Sequence, residues 1–150
     1  MRAGERQGTM KIGVIGAGSW GTALTVLLSQ KELHISLWVR NADLLQEITR
    51  SRLNSDYLPD ILIPANIKLT NKLEEAVRGK DLVVLAVPSH AVGAIAQKIK
   101  NLISKQTIVV NTAKGLAEGS LKRLSQVIAA KLAPFGKIAV ISGPNHAEEV

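Results

Sequence analysis

Between Lys11 and Gly21 the chain reads Lys-Ile-Gly-Val-Ile-Gly-Ala-Gly-Ser-Trp-Gly, an apolar run that passes directly into glycines at 16, 18 and 21. This G-x-G-x-x-G spacing constrains the fold more than any other feature. A short buried strand that ends on it, with a helix opening at Ser19, is the first turn of a βαβ unit. Gly16 allows the tight turn, Gly18 removes a side chain that would collide with a phosphate, and Gly21 lets helix pack closely on strand. Free N–H groups at the helix start then face a pyrophosphate, and Ser19 can add its own N–H and hydroxyl. The turn therefore predicts dinucleotide binding through Gly16, Gly18, Ser19 and Gly21. The competing reading is a glycine turn with a packing role alone. Trp20 either covers the core or faces the cofactor.

The rest of the chain alternates in the same way. Strands are predicted at Lys11–Ile15, His34–Val39, Asp81–Val87, Gln106–Val110 and Lys137–Ile141, with a short edge strand at Ile67–Leu69. Helices are predicted at Ser19–Gln30, Asp43–Arg52, Leu73–Val77 and Ala91–Leu102. Another follows Ser120 as N-cap and carries Leu121, Leu124, Val127, Ile128 and Leu132. Leu53–Asn66, with two prolines, reads as a long loop. The run Leu-Val-Val-Leu-Ala-Val at 82–87 is apolar throughout, as a parallel strand covered on both faces requires. The predicted class is α/β, a doubly wound and mainly parallel sheet of the Rossmann type. Residues 1–9 read as a flexible leader and 10–150 as the dinucleotide-binding domain.

Composition narrows the chemistry. The 150 residues, 46% hydrophobic, suit one compact domain. The absence of cysteine excludes disulfides, a thiol nucleophile and cysteine-ligated zinc. No metal-ligand spacing, nucleophile elbow or Walker A motif is present. No membrane span or signal-peptide core is predicted. The formal charge of +7 is spread thinly, and one Phe, one Tyr and two Trp supply little for base stacking. The charge therefore predicts a phosphorylated small molecule rather than nucleic acid.

The end of the second strand reads Trp38-Val39-Arg40-Asn41, where NAD sites usually carry a carboxylate for the ribose 2′-hydroxyl. Arg40 can instead pair with a 2′-phosphate, which predicts NADP over NAD. The alternative is that Asp43 serves the ribose and Arg40 is solvated. Ligands in such sheets lie beyond the carboxyl ends of the strands. Ala86–His90, Asn111–Gly115 and Ser142–Ala147 all fall there. Lys114 is the candidate substrate contact, set against an ordinary loop lysine. His90 and His146 read as hydrogen-bonding loop residues rather than proton carriers.

Together these segments resemble the N-terminal domain of bacterial NAD(P)-dependent glycerol-3-phosphate dehydrogenases. The resemblance runs from Met10 to Val150. It rests on Gly16-Ala-Gly-Ser-Trp-Gly-Thr-Ala23, Trp38-Val-Arg40, Asn54-Ser-Asp-Tyr-Leu-Pro59 and Leu62-Ile-Pro-Ala-Asn66. It continues through Ala86-Val-Pro-Ser89, Ala113-Lys-Gly115 and Ser142-Gly-Pro-Asn-His-Ala-Glu-Glu-Val150, in that order. Two positions depart from the family's habit: Asp60 stands where glycine is frequent, and Asn145 where serine or threonine is usual.

The resemblance implies interconversion of sn-glycerol 3-phosphate and dihydroxyacetone phosphate with NADPH or NADH, in the cytoplasm, for phospholipid synthesis. It implies cofactor contacts from Ser19, Trp20, Arg40, Lys114 and Ala147, and substrate contacts from Lys114, Gly143 and Asn145. It places the catalytic lysine in a second, helical domain that these residues do not include. The 150-residue chain is thus expected to bind cofactor and to turn over negligibly. A homo-oligomer is compatible with the sequence. Alternatives are another NADP-dependent reductase of the hydroxyacid or ketopantoate type, a non-catalytic NADP-binding module, and a structural protein that uses the fold without a ligand.

Overall fold

The computed structural model describes residues 8–143 and 146–149. Residues 1–7 of the expected leader lie outside it. Strand β1 (Lys11–Ile15) leads through helix α1 (Ser19–Ser29) to β2 (His34–Trp38) and α2 (Ala42–Ser51). Two short strands follow, β3 (Leu53–Asn54) and β4 (Leu58–Leu62), and then β5 (Lys68–Thr70), α3 (Leu73–Val77) and β6 (Leu82–Leu85). The chain continues through α4 (Ser89–Ile99), β7 (Ile108–Asn111), α5 (Leu124–Leu132) and β8 (Lys137–Val140). Among the described residues no helix is long and apolar enough to cross a membrane.

Six strands form one parallel sheet in the order β5-β2-β1-β6-β7-β8. The chain winds outward from β1 to β2 and β5, then returns to β6 on the other side of β1. Its direction of growth therefore reverses between β1 and β6, where Ile15 pairs with Leu85. A crevice opens at such a point because the connections leaving the two strands diverge to opposite faces.

The pleat of β1 divides the core. Ile12 and Val14 join Ile35, Leu37 and Ile48 in the layer with α1 and α2. Ile15 joins Val83, Leu85, Val92, Ile99, Ile128 and Leu132 in the layer with α3, α4 and α5. Each fully buried aliphatic side chain here contributes about 1.5–3 kcal/mol. Gly13 shares the face of Ile15, and a Cβ on it would lie 2.0 Å from the Ala76 carbonyl oxygen. Helix α3 thus meets β1 backbone to backbone.

The structure shifts several element ends by a few residues, as in α4, which runs Ser89–Ile99 rather than Ala91–Leu102, and three differences bear on the site or its surroundings. The expected loop at 53–66 contains the antiparallel pair β3–β4, closed by Tyr57 N–H donating to the Asn54 carbonyl at 3.1 Å. Pro59 is tolerated in β4 because this ribbon is two strands wide and leaves an edge free. Helix α5 begins at Leu124, not after Ser120. Residues 117–122 close a tight loop, with Ala117 N–H on the Lys122 carbonyl at 2.8 Å, and Leu121 takes φ +52°. The Gln126 side chain then accepts from Arg123 N–H at 3.1 Å. Finally, β6 ends at Leu85 rather than Val87. Ala86 and Val87 are apolar because they line the crevice beyond the strand.

Candidate nucleotide-binding site

A cleft of about 490 Å³ lies at the carboxyl ends of β1 and β6. Its floor is the glycine turn. Gly16 has φ +115°, and a Cβ there would stand 2.4 Å from the Ala86 carbonyl oxygen, so only glycine lets the two strand ends approach. A Cβ on Gly21 would fall 2.0 Å from the Gly16 carbonyl oxygen, which seats α1 directly on the turn. Gly18 differs: nothing lies within 4 Å of its added Cβ, and its φ of −75° suits any residue. The fold has no need of glycine at 18. Glycine there leaves open space beside the cleft that it lines.

Gly18 is also the N-cap of α1, and no side chain caps it. The first N–H groups of α1 therefore remain available to an anion, reinforced by the helix dipole. Arg40 and Asn41, just beyond β2, form one wall, and His90 and Lys98 of α4 stand opposite. No carboxylate lines the cleft among the described residues. Arg40 is exposed and enters no ion pair among them. A glycine cradle with open space, free N–H donors and cationic walls fit the pyrophosphate of a dinucleotide.

The predicted residues are gathered unequally. Gly16, Gly18 and Arg40 line the cleft together. Ser19 and Gly21 open α1 beside it. Trp20 is partly buried but belongs to neither apolar cluster, so the core does not account for it. Asp43, the alternative ribose partner, does not line the cleft. It lies in the first turn of α2, its N–H held by Asn41 Oδ1 at 2.8 Å.

Lys114 and Gly143 follow β7 and β8 on the same edge of the sheet, further along from the cleft. Lys114 is exposed and Gly143 partly buried at φ +155°. Asn145 lies outside the described residues. Ala147 stands apart, in a second groove with Ala23, Val26 and Leu27 of α1 and Ile61 of β4. Asp60 and Glu148 also line that groove, which makes it a poor seat for phosphates. His146 is exposed and lies outside the cleft lining.

Sequence reasoning missed Tyr57, which reaches the cleft from the β3–β4 connection, and Lys98, three turns into α4. The Tyr57 contribution was invisible because 53–66 carried no periodic signal. Lys98 had a signal: it follows Ala91, Ala94 and Ile95 at helical spacing along one face. The resolved pKa displacements lie elsewhere. Burial, with help from Lys68 and Lys11, lowers Lys80, whose Nζ bonds Ser36 Oγ at 2.7 Å.

Comparison with known proteins extends the geometry. The family model for the N-terminus of NAD-dependent glycerol-3-phosphate dehydrogenase matches residues 11–150. A glycerol-3-phosphate dehydrogenase [NAD(P)+] from Thermoanaerobacter sp. (strain X514) is 48% identical over 141 residues, 94% of this chain and 42% of that protein. A Moorella thermoacetica protein of the same name is 48% identical over 139 residues, 93% of this chain and 41% of its own length. The crystal structure of glycerol-3-phosphate dehydrogenase from Coxiella burnetii superposes with a TM-score of 0.84 at 36% identity, over 94% of this chain and 43% of that one. The chain thus spans about two fifths of the length of these relatives. It belongs to the NAD-dependent glycerol-3-phosphate dehydrogenase family and corresponds to that family's N-terminal, NAD(P)-binding domain.

Proposed function

We propose that this chain holds NADPH, in preference to NADH, as the cofactor domain of an enzyme that interconverts dihydroxyacetone phosphate and sn-glycerol 3-phosphate. One observation carries the cofactor half: the open space at Gly18 faces a cleft walled by Arg40, His90 and Lys98 and by no carboxylate among the described residues. The substrate half follows from the family to which the chain belongs.

In this reading Gly16–Gly21 and the start of α1 hold the pyrophosphate. Arg40 pairs with the 2′-phosphate through its planar guanidinium, and the absence of a nearby carboxylate leaves that phosphate unopposed. Lys114 attracts the phosphorylated substrate and steadies its oxygenated end, and Gly143 and Asn145 contact it. When bound, the reduced nicotinamide supplies the hydride that reduces the ketone. The general acid comes from outside residues 1–150, in the part of the relatives that this chain does not span. The protein works in the cytoplasm in glycerophospholipid synthesis, on small phosphorylated substrates and without nucleic acid.

Steady-state assays of NADPH oxidation with dihydroxyacetone phosphate test this. The segment 1–150 alone should give negligible turnover while binding cofactor, and the same segment continued by a relative's second domain should be active. Turnover by 1–150 alone at the rate of a full-length relative would overturn the division of labour.

A further inference from the structure

We infer that Asn54 is the positioning residue of the dinucleotide turn, fixing the direction in which its free N–H groups point. The inference deepens the cofactor reading above and rests on it. Asn54 stands on β3 and is fully buried. Its Nδ2 donates to the Ala17 carbonyl at 2.9 Å and to the Thr22 hydroxyl oxygen at 2.8 Å. Ala17 and Thr22 bracket Gly18–Gly21, the stretch that carries the uncapped N–H groups at the start of α1. Thr22 N–H is already committed to the Gly18 carbonyl at 2.9 Å.

The geometry of one peptide unit gives the grip its consequence. In a trans peptide the C=O and the following N–H point in opposite directions. Asn54 draws the Ala17 carbonyl toward β3, so the Gly18 N–H turns away from it, toward the cleft that Gly18 lines. The second bond holds the first turn of α1 in the same frame. The turn is thereby set before any ligand arrives, which removes an ordering cost from binding.

The amide has a cost of its own. Asn54 Oδ1 is buried with no partner among the described residues. Leaving such an acceptor unpaired is unfavourable, and an apolar side chain would avoid it. The value of asparagine at 54 therefore lies in its two donors.

A clamp on the turn differs from a generally stabilising residue in what it does to ligands that lack a pyrophosphate. Titrations of the chain with NADPH and with adenosine 2′-monophosphate, alongside thermal unfolding, separate the two. Asn54→Ala should weaken NADPH about tenfold, and Thr22→Val, which removes one arm at nearly constant shape, about threefold. Both should leave adenosine 2′-monophosphate within about twofold of wild type, because it touches the Arg40 wall and not the turn. Unchanged NADPH affinity in a folded Asn54→Ala, or equal losses for both ligands, overturns the clamp. If Asn54→Ala does not fold, Thr22→Val decides by the same criteria. A wild-type chain that fails to bind NADPH overturns the cofactor reading itself, and the clamp with it.

Discussion

The Gly16 carbonyl oxygen lies 2.0 Å from where a Cβ on Gly21 would be, so the first turn of α1 rests on the backbone of the loop that precedes it. Gly21→Ala has no flexible side chain to displace; turn and helix must separate. The substitution should cost about 2–3 kcal/mol in denaturant unfolding and weaken NADPH in parallel.

Gly18→Ala should behave in the opposite way. The added methyl meets nothing within 4 Å, and the backbone at φ −75° accepts it. Stability should change by less than about 1 kcal/mol, because alanine restricts the unfolded chain but is a poorer N-cap than glycine. NADPH affinity should nonetheless fall about tenfold or more, because the methyl occupies the space of the phosphate. Unfolding curves and titrations on the same samples check both halves.

Arg40 tests the choice of cofactor. Arg40→Ala should weaken NADPH about tenfold and leave NADH nearly unchanged, as expected for one exposed charge-assisted contact. A rise in salt should narrow the gap between the two cofactors in wild type and have little effect on the variant. Equal affinities for the two cofactors in wild type would transfer the ribose to Asp43.

Acid sensitivity should come in part from Glu75. Its carboxylate accepts from Lys68 at 3.2 Å, lies 3.5 Å from Lys72 and accepts from Thr70 Oγ1 at 3.3 Å. The hydrogen bond from Lys68 is the largest effect on the pKa; desolvation opposes it, but the Lys68 charge, the Thr70 hydroxyl and the Lys72 charge join it in holding the pKa below 4.5. A depressed folded-state pKa means that the unfolded chain takes up protons first as pH falls. The stabilisation is therefore complete above about 4.5 and is lost as pH drops through the folded value. Unfolding followed from pH 7 to acid should show a flatter acid limb in Glu75→Gln.

Local signals and distant contacts were legible to different degrees in the sequence. Strand β1 and helix α3 fall where periodicity places them, at Lys11–Ile15 and Leu73–Val77. The glycine turn could be read because its chemistry is contained in six consecutive residues. Arg40 could be read because strand order and the carboxyl edge of the sheet fix where it must stand. Asn54 could not: its partners are 37 and 32 residues away, and the two-residue strand that carries it has no period to detect. Gly13 was passed over for a related reason, since its necessity comes from the Ala76 backbone in α3. Helix α5 was begun too early because Ser120 is a good cap in isolation, whereas the loop at 117–122 claims that backbone first.

The proposed occupant of the cleft between β1 and β6 is a 2′-phosphorylated dinucleotide. Calorimetric titration of the wild-type chain with NADPH and with NADH measures this directly. Saturable binding at a single site, tighter for NADPH, is the expected result. NADH binding as tight as NADPH, or no binding of either dinucleotide to the folded chain, would contradict it.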